Sequence, residues 1–170
     1  MAKKLKFPIK CIGIPKTIDN DLPYTDCSPG FGSVAKYIAT STLEAGLDVK
    51  SMAETSTKVF ILEVMGRHAG WIAAASCLAA SKAGDPPHII LLPEVPFQKG
   101  KFLAQVKQMI KEYGYCVIVA SEGTQTINGK FLADSGLTDA FGHKQLGGVA
   151  PILAGMISKI GFKNHWAVAD

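Results

Sequence analysis

Lys58-Val59-Phe60-Ile61-Leu62-Glu63-Val64-Met65, followed at once by Gly66-Arg67-His68-Ala69-Gly70-Trp71, is the stretch that decides the fold. Its first part is apolar and rich in β-branched residues, the pattern of a buried strand. Gly66 breaks that run, and residues 69–83 read as a helix whose small-residue face suits close packing. A strand that passes through glycine into a helix opens a parallel β-α-β unit.

The alternation continues in both directions. Residues 7–14 read as a strand ended by Pro15, and 31–47 as a helix with Val34, Ile38 and Ala45 on one face and Gly46 near its stop. Residues 88–92 read as a strand stopped by Pro93, and 99–113 as an amphipathic helix with Phe102, Val106 and Ile110 together. Residues 115–120 make a further strand and 151–160 a last helix, while 121–142, polar and interrupted by glycine, read as a long irregular connection. There is no internal repeat and no low-complexity tract. The expected class is α/β, a Rossmann-like layering of parallel β-α-β units. Ligands of such sheets gather beyond the carboxyl ends of the strands. That directs attention to residues 15–21, 66–70, 93–96 and 121–125.

Composition narrows the function classes. With 170 residues and 48% hydrophobic content, the chain has material for a packed core. Its apolar runs fall short of a membrane span; the longest candidate, 71–83, contains Ser76, Ser81 and Lys82. The basic start lacks the apolar core and cleavage site of a signal peptide. Cys11, Cys27, Cys77 and Cys116 lie far apart, without metal-type spacing, so free thiols and a reducing cytoplasm are expected. The net charge is +4, but seventeen of the eighteen basic residues are lysines, spread along the chain after the first six positions. That is a solvated surface, not a nucleic-acid face.

Three segments carry chemistry. In Pro15-Lys16-Thr17-Ile18-Asp19-Asn20-Asp21, two carboxylates two residues apart stand beside an ammonium and a hydroxyl. Their repulsion favours holding a proton, a cation or a hydroxyl between them. A carboxylate in reach of a hydroxyl is a general base, and the ammonium can steady a transferring phosphoryl group. The same spacing fits a turn in which Asp19 and Asn20 cap their own backbone. In Met65-Gly66-Arg67-His68, glycine permits close backbone approach and the Arg67 fork matches phosphate oxygens; the competing reading is a surface ion pair, and His68 is expected to be structural. Glu94, directly after the strand 88–92, fits either an acceptor of sugar hydroxyls or a solvated strand end. Gly30-Phe31-Gly32-Ser33-Val34-Ala35, with Glu54 further on, approximates a dinucleotide fingerprint. It follows a loop instead of a strand, so a helix start with Ser28 as cap and Pro29 in the first turn is expected there, not a nicotinamide site.

Taken together, Pro15-Lys16-Thr17-Ile18-Asp19-Asn20-Asp21, Val64-Met65-Gly66-Arg67 and Pro93-Glu94 resemble the phosphofructokinase family over most of the chain. Lys16 and His68-Ala69-Gly70-Trp71 resemble its pyrophosphate-dependent branch. The resemblance implies transfer of a phosphoryl group from pyrophosphate, or alternatively ATP, to the 1-hydroxyl of fructose 6-phosphate, with Mg2+. Asp19 would accept the proton, and Lys16 would stabilise the transferring group. Thr17, Ile18 and Asp21 would lie against the sugar. Met65, Gly66 and Arg67 would hold the substrate, and Glu94 would bind its hydroxyls. It also implies residues 1–30 as the end of a donor-side lobe, 31–140 as a substrate lobe and 141–170 as the return to the first. A homo-oligomer is implied for the full-length enzyme.

Three departures accompany it. The family's Gly-Gly-Asp segment, which binds donor phosphates and magnesium, is expected upstream of Met1. Lys58 stands where an arginine is frequent. Leu146 stands where another is frequent, which weakens a phosphate role for His143. The expectation is a central fragment holding the acceptor half of a site, with no magnesium ligand of its own. A fragment that binds or assembles without turnover is the competing class.

Overall fold

The computed structural model describes residues 4, 8–138 and 144–169. Along the chain come α1 (Phe31–Met52), β1 (Val59–Val64), α2 (Trp71–Ala75) tightening into a 3-10 turn (Ser76–Ala79), β2 (Ile89–Leu91) and α3 (Lys99–Tyr113). Then follow β3 (Cys116–Ser121), β4 (Asp134–Thr138), β5 (Lys144–Leu146), α4 (Val149–Ser158) and β6 (Asn164–Ala169). Four strands form an all-parallel sheet in the order β2-β3-β1-β6, and β4 pairs with β5 in a separate antiparallel ribbon. The fold class is α/β, as expected.

Side-chain alternation along β1 and β3 builds two cores. Val59, Ile61, Ile118 and Ala120 face Phe102 and Val106 of α3 and Leu153 and Ile157 of α4. Leu62, Val64 and Val119 face Ile38 of α1 and Ile72 and Ala73 of α2. Both central strands are thus covered on both sides, which is why their sequences read as nearly continuous apolar runs. Gly46 of α1 sits against Pro86 so tightly that a Cβ there would come within 2.3 Å of the proline ring.

Several expectations are corrected. Residues 8–14 form no strand: among the described residues they have no hydrogen-bonding neighbour, and Ile9, Ile12 and Ile14 are exposed. Phe7 lies outside the described residues, as do Gly142 and His143. The helix expected at 69–83 is only Trp71–Ala75 plus the 3-10 turn, where the Ser76 hydroxyl donates back to the Ala73 carbonyl. α1 has Gly30, at φ 95°, as its N-cap instead of Ser28, whose hydroxyl is buried without a partner. The connection after β3 contains the β4–β5 ribbon, and β6 was not anticipated. Among the described residues no helix is long and apolar enough to cross a membrane. The four cysteines are free, and burial pushes the Cys116 thiol up to about 12.

Candidate functional site

The carboxyl ends of β1 and β3 dovetail, and that junction places Arg67. The Glu122 N–H donates to the Val64 carbonyl at 2.9 Å. The Ser121 hydroxyl donates to the Gly66 carbonyl, and in turn accepts from the Gly123 N–H at 3.2 Å. Two glycines make the fit possible. Gly66 stands at φ 127°, in a region L side chains avoid, and a Cβ on Gly123 would lie 2.0 Å from the Arg67 carbonyl oxygen. Arg67 itself is half-buried, with its Nε buried and unpartnered. His68 is exposed, its ring 5.9 Å from that of Phe131.

Asp19 arrives from a loop that ties itself down through its neighbours. The Asp19 N–H donates to the Thr17 hydroxyl at 3.2 Å. Asn20 adopts φ 55° and is buried; its side-chain oxygen accepts the Ser28 N–H at 2.8 Å, and its amide donates to the Asp26 carbonyl at 3.2 Å. Ile18 packs on the α1–α2 core. The turn-forming work therefore falls to Thr17 and Asn20, and the Asp19 carboxylate takes no part in it. Its Oδ1 is buried without a partner. Burial, then the charge of Asp21, raise the Asp19 carboxyl above the usual range, against the pull of Arg67 and His68.

Glu122 is the residue that sequence reading missed. It is half-buried at the end of β3, and burial raises its carboxyl. Arg67 and the Gly66 backbone oppose that rise, while Asp19 and Glu63 add to it. Arg67 thus bears electrostatically on two half-buried carboxyls, those of Asp19 and Glu122. The available signal was position: Glu122 is the sole carboxylate in the strand-end segment 121–125.

The remaining candidates are distributed less compactly. Met65 packs with the α1–α2 core, and Asp21 is exposed on the same loop as Asp19. A cleft lined by Asn20, Asp21, Asp26, His68 and Trp71 opens along the outer side of that loop. Lys16 is exposed. Glu94 spends one oxygen on a structural bond: its Oε1 accepts the Gly70 N–H at 2.8 Å, at the start of α2. Neither Lys16 nor Glu94 is among the charges that perturb Asp19 or Glu122. Among the described residues no group of three or more His, Cys, Asp or Glu side chains could hold a metal ion.

An electrophile bearing anionic oxygens would be met here by one guanidinium, and a hydroxyl by an unpartnered carboxylate. Residues 1–164 match the family model described as Phosphofructokinase. The chain is 64% identical over 171 residues to the pyrophosphate–fructose 6-phosphate 1-phosphotransferase of Halomonas elongata. It is 59% identical over 172 residues to the enzyme of that name from Xanthomonas campestris pv. campestris. Each match takes in 100% of this chain but 41% of the relative, so the chain spans about two fifths of their length. The crystal structure of pyrophosphate-dependent phosphofructokinase from Marinobacter aquaeolei superposes with a TM-score of 0.83 at 61% identity, covering 99% of this chain and 39% of that one.

Proposed function

This chain belongs to the phosphofructokinase family, and from that premise we propose that it carries the sugar-phosphate half of a pyrophosphate-dependent phosphotransferase acting on fructose 6-phosphate. The observation that carries the proposal is the unpartnered Asp19 carboxylate held beside Arg67. The names of the relatives support the donor and the acceptor.

In this reading the 1-hydroxyl of the sugar donates to Asp19. As its oxygen attacks the phosphorus of pyrophosphate, the proton passes to Asp19, phosphate leaves, and fructose 1,6-bisphosphate forms. Phosphoryl transfer asks mainly for positioning and charge neutralisation. Lys16 neutralises charge on the transferring group. Met65, Gly66 and Arg67 hold the sugar phosphate, with Thr17, Ile18 and Asp21 flanking the ring. Glu94 offers its second oxygen to hydroxyls, and Glu122 keeps Arg67 in place. Residues 1–30 belong to a donor-side lobe, 31–140 to the substrate lobe and 141–170 to the return segment, in a protein that assembles as a homo-oligomer in the cytoplasm. Magnesium is the metal the family implies. Among the described residues no group of three or more His, Cys, Asp or Glu side chains gathers to hold it.

The test is a chimera in which this chain replaces the matching segment of the Halomonas elongata relative. Fructose 1,6-bisphosphate should form with pyrophosphate, and the isolated chain should be inactive or nearly so. Asp19→Asn should lower kcat about a hundredfold or more with little change in KM. Because Asp19 must be ionised to accept the proton and its pKa is raised, activity should fall with decreasing pH at values above the ordinary carboxylate range. Turnover with ATP alone would remove the donor assignment, and full activity of Asp19→Asn would remove the base.

A further inference from the structure

Glu63 is the one charged residue of β1, and it is 5% exposed in the middle of the sheet. A carboxylate in that position is costly unless it is hydrogen-bonded. Its partner comes from far along the chain: Oε2 accepts the Ala150 N–H at 2.8 Å. Ala150 lies in the first turn of α4, where backbone N–H groups have no acceptor within the helix. The N-cap, Gly148, has φ 87° and no side chain with which to cap. A Cβ placed on Gly148 would be 3.7 Å from Glu63 Oε2, so the start of α4 lies directly over the carboxylate. Glu63 thus supplies from the sheet the cap that α4 lacks, and a negative charge there also suits the helix dipole.

The charge of Glu63 also bears on the candidate site. Its neighbour across β3 is Ala120, and Glu122 lies just past the end of β3, its N–H donating to the carbonyl of Val64, the residue after Glu63, at 2.9 Å. The charges felt by Glu122 are Arg67 from the turn after β1, Asp19 from its loop and Glu63 from β1. The start of α4, Gly147-Gly148-Val149-Ala150, brings no charged side chain.

We infer that Glu63 is a positioning residue of the candidate site: it clamps the amino end of α4 to the end of β1 and so sets the place of Glu122 beside Arg67. The part of the inference that concerns ligand affinity rests on the phosphotransferase reading; the clamp itself does not.

The experiment compares the wild-type 170-residue chain with Glu63→Gln and Glu63→Ala. Three quantities are read: amide exchange at Ala150, the titration midpoint of the 13C-labelled Glu122 carboxyl, and affinity for fructose 6-phosphate by calorimetry. Glu63→Gln keeps an acceptor, so Ala150 should stay protected, while removal of the charge should move the Glu122 midpoint downward. Glu63→Ala should speed Ala150 exchange at least about tenfold, as expected for loss of a hydrogen bond to a charged group, with amides of α3 unchanged. Affinity should fall about tenfold in Glu63→Ala and less than about threefold in Glu63→Gln. Unchanged Ala150 protection in Glu63→Ala, an unmoved Glu122 midpoint in Glu63→Gln, or equal affinity in all three proteins would overturn the inference. Should Glu63→Ala fail to fold, the Glu122 midpoint in Glu63→Gln decides it. A wild-type chain that does not bind fructose 6-phosphate overturns the phosphotransferase reading, and the other two measurements still judge Glu63.

Discussion

Cys116–Ser121 and residues 8–14 are both short and rich in isoleucine or valine, yet among the described residues one is the most buried strand and the other is no strand at all. β3 has β1 on one edge and β2 on the other, and every residue in it is buried. Residues 8–14 have no partner strand among the described residues; Ile12 is 91% exposed and Ile14 82%. The backbone of an extended segment must hydrogen-bond somewhere, and composition alone does not supply the neighbour. Strand propensity is a statement about fitting between other strands. Further along, Ile18 reaches the core.

Substitutions test this contrast. The largest effect is expected from Ile118→Asp in β3, which puts an unpaired charge into the larger core. Losses above about 4 kcal/mol are typical of such changes, a large part of the roughly 5–15 kcal/mol that holds a domain together. Loss of the far-UV dichroism of the folded chain is the expected outcome, and retention of a native urea transition would break the contrast. Gly123→Ala, just past the end of β3, should cost less, about 1–3 kcal/mol in urea denaturation. The added methyl must push Arg67 aside, so affinity for inorganic phosphate should fall as well. Ile12→Ser should change stability by no more than about 0.5 kcal/mol, the usual range for surface sites. A larger loss would mean that residues 8–14 have a partner after all.

The same contrast explains what was legible in the sequence. β1, β2 and β3 were readable because they are apolar runs bounded by glycine or proline. β6 was not: it begins Asn164-His165, and it is an edge strand with Trp166 and Val168 exposed, so it needs no continuous apolar run. Asp19 and Arg67 could be picked out by their place after a run and next to a turn. Glu122 offered the same signal of place, but not its neighbours, and Glu63 offered none, because their environment is made by segments distant in sequence. A glutamate inside Leu62-Glu63-Val64 looks like a flaw in a strand until the start of α4 is seen over it. Glu94 was visible as a strand-end acid, but its bond to the Gly70 N–H was not.

The strand order has one more consequence, in time instead of space. β1 is made before either of its partners: Val59 pairs with Cys116 on one side and with Asn164 on the other. As the chain leaves a ribosome, the centre of its sheet therefore waits with open edges while the connecting helices are completed, and the second edge closes last. Contacts of such separation fold slowly and expose sticky intermediates. A nascent chain stalled before Asn164 should be the species that chaperones hold.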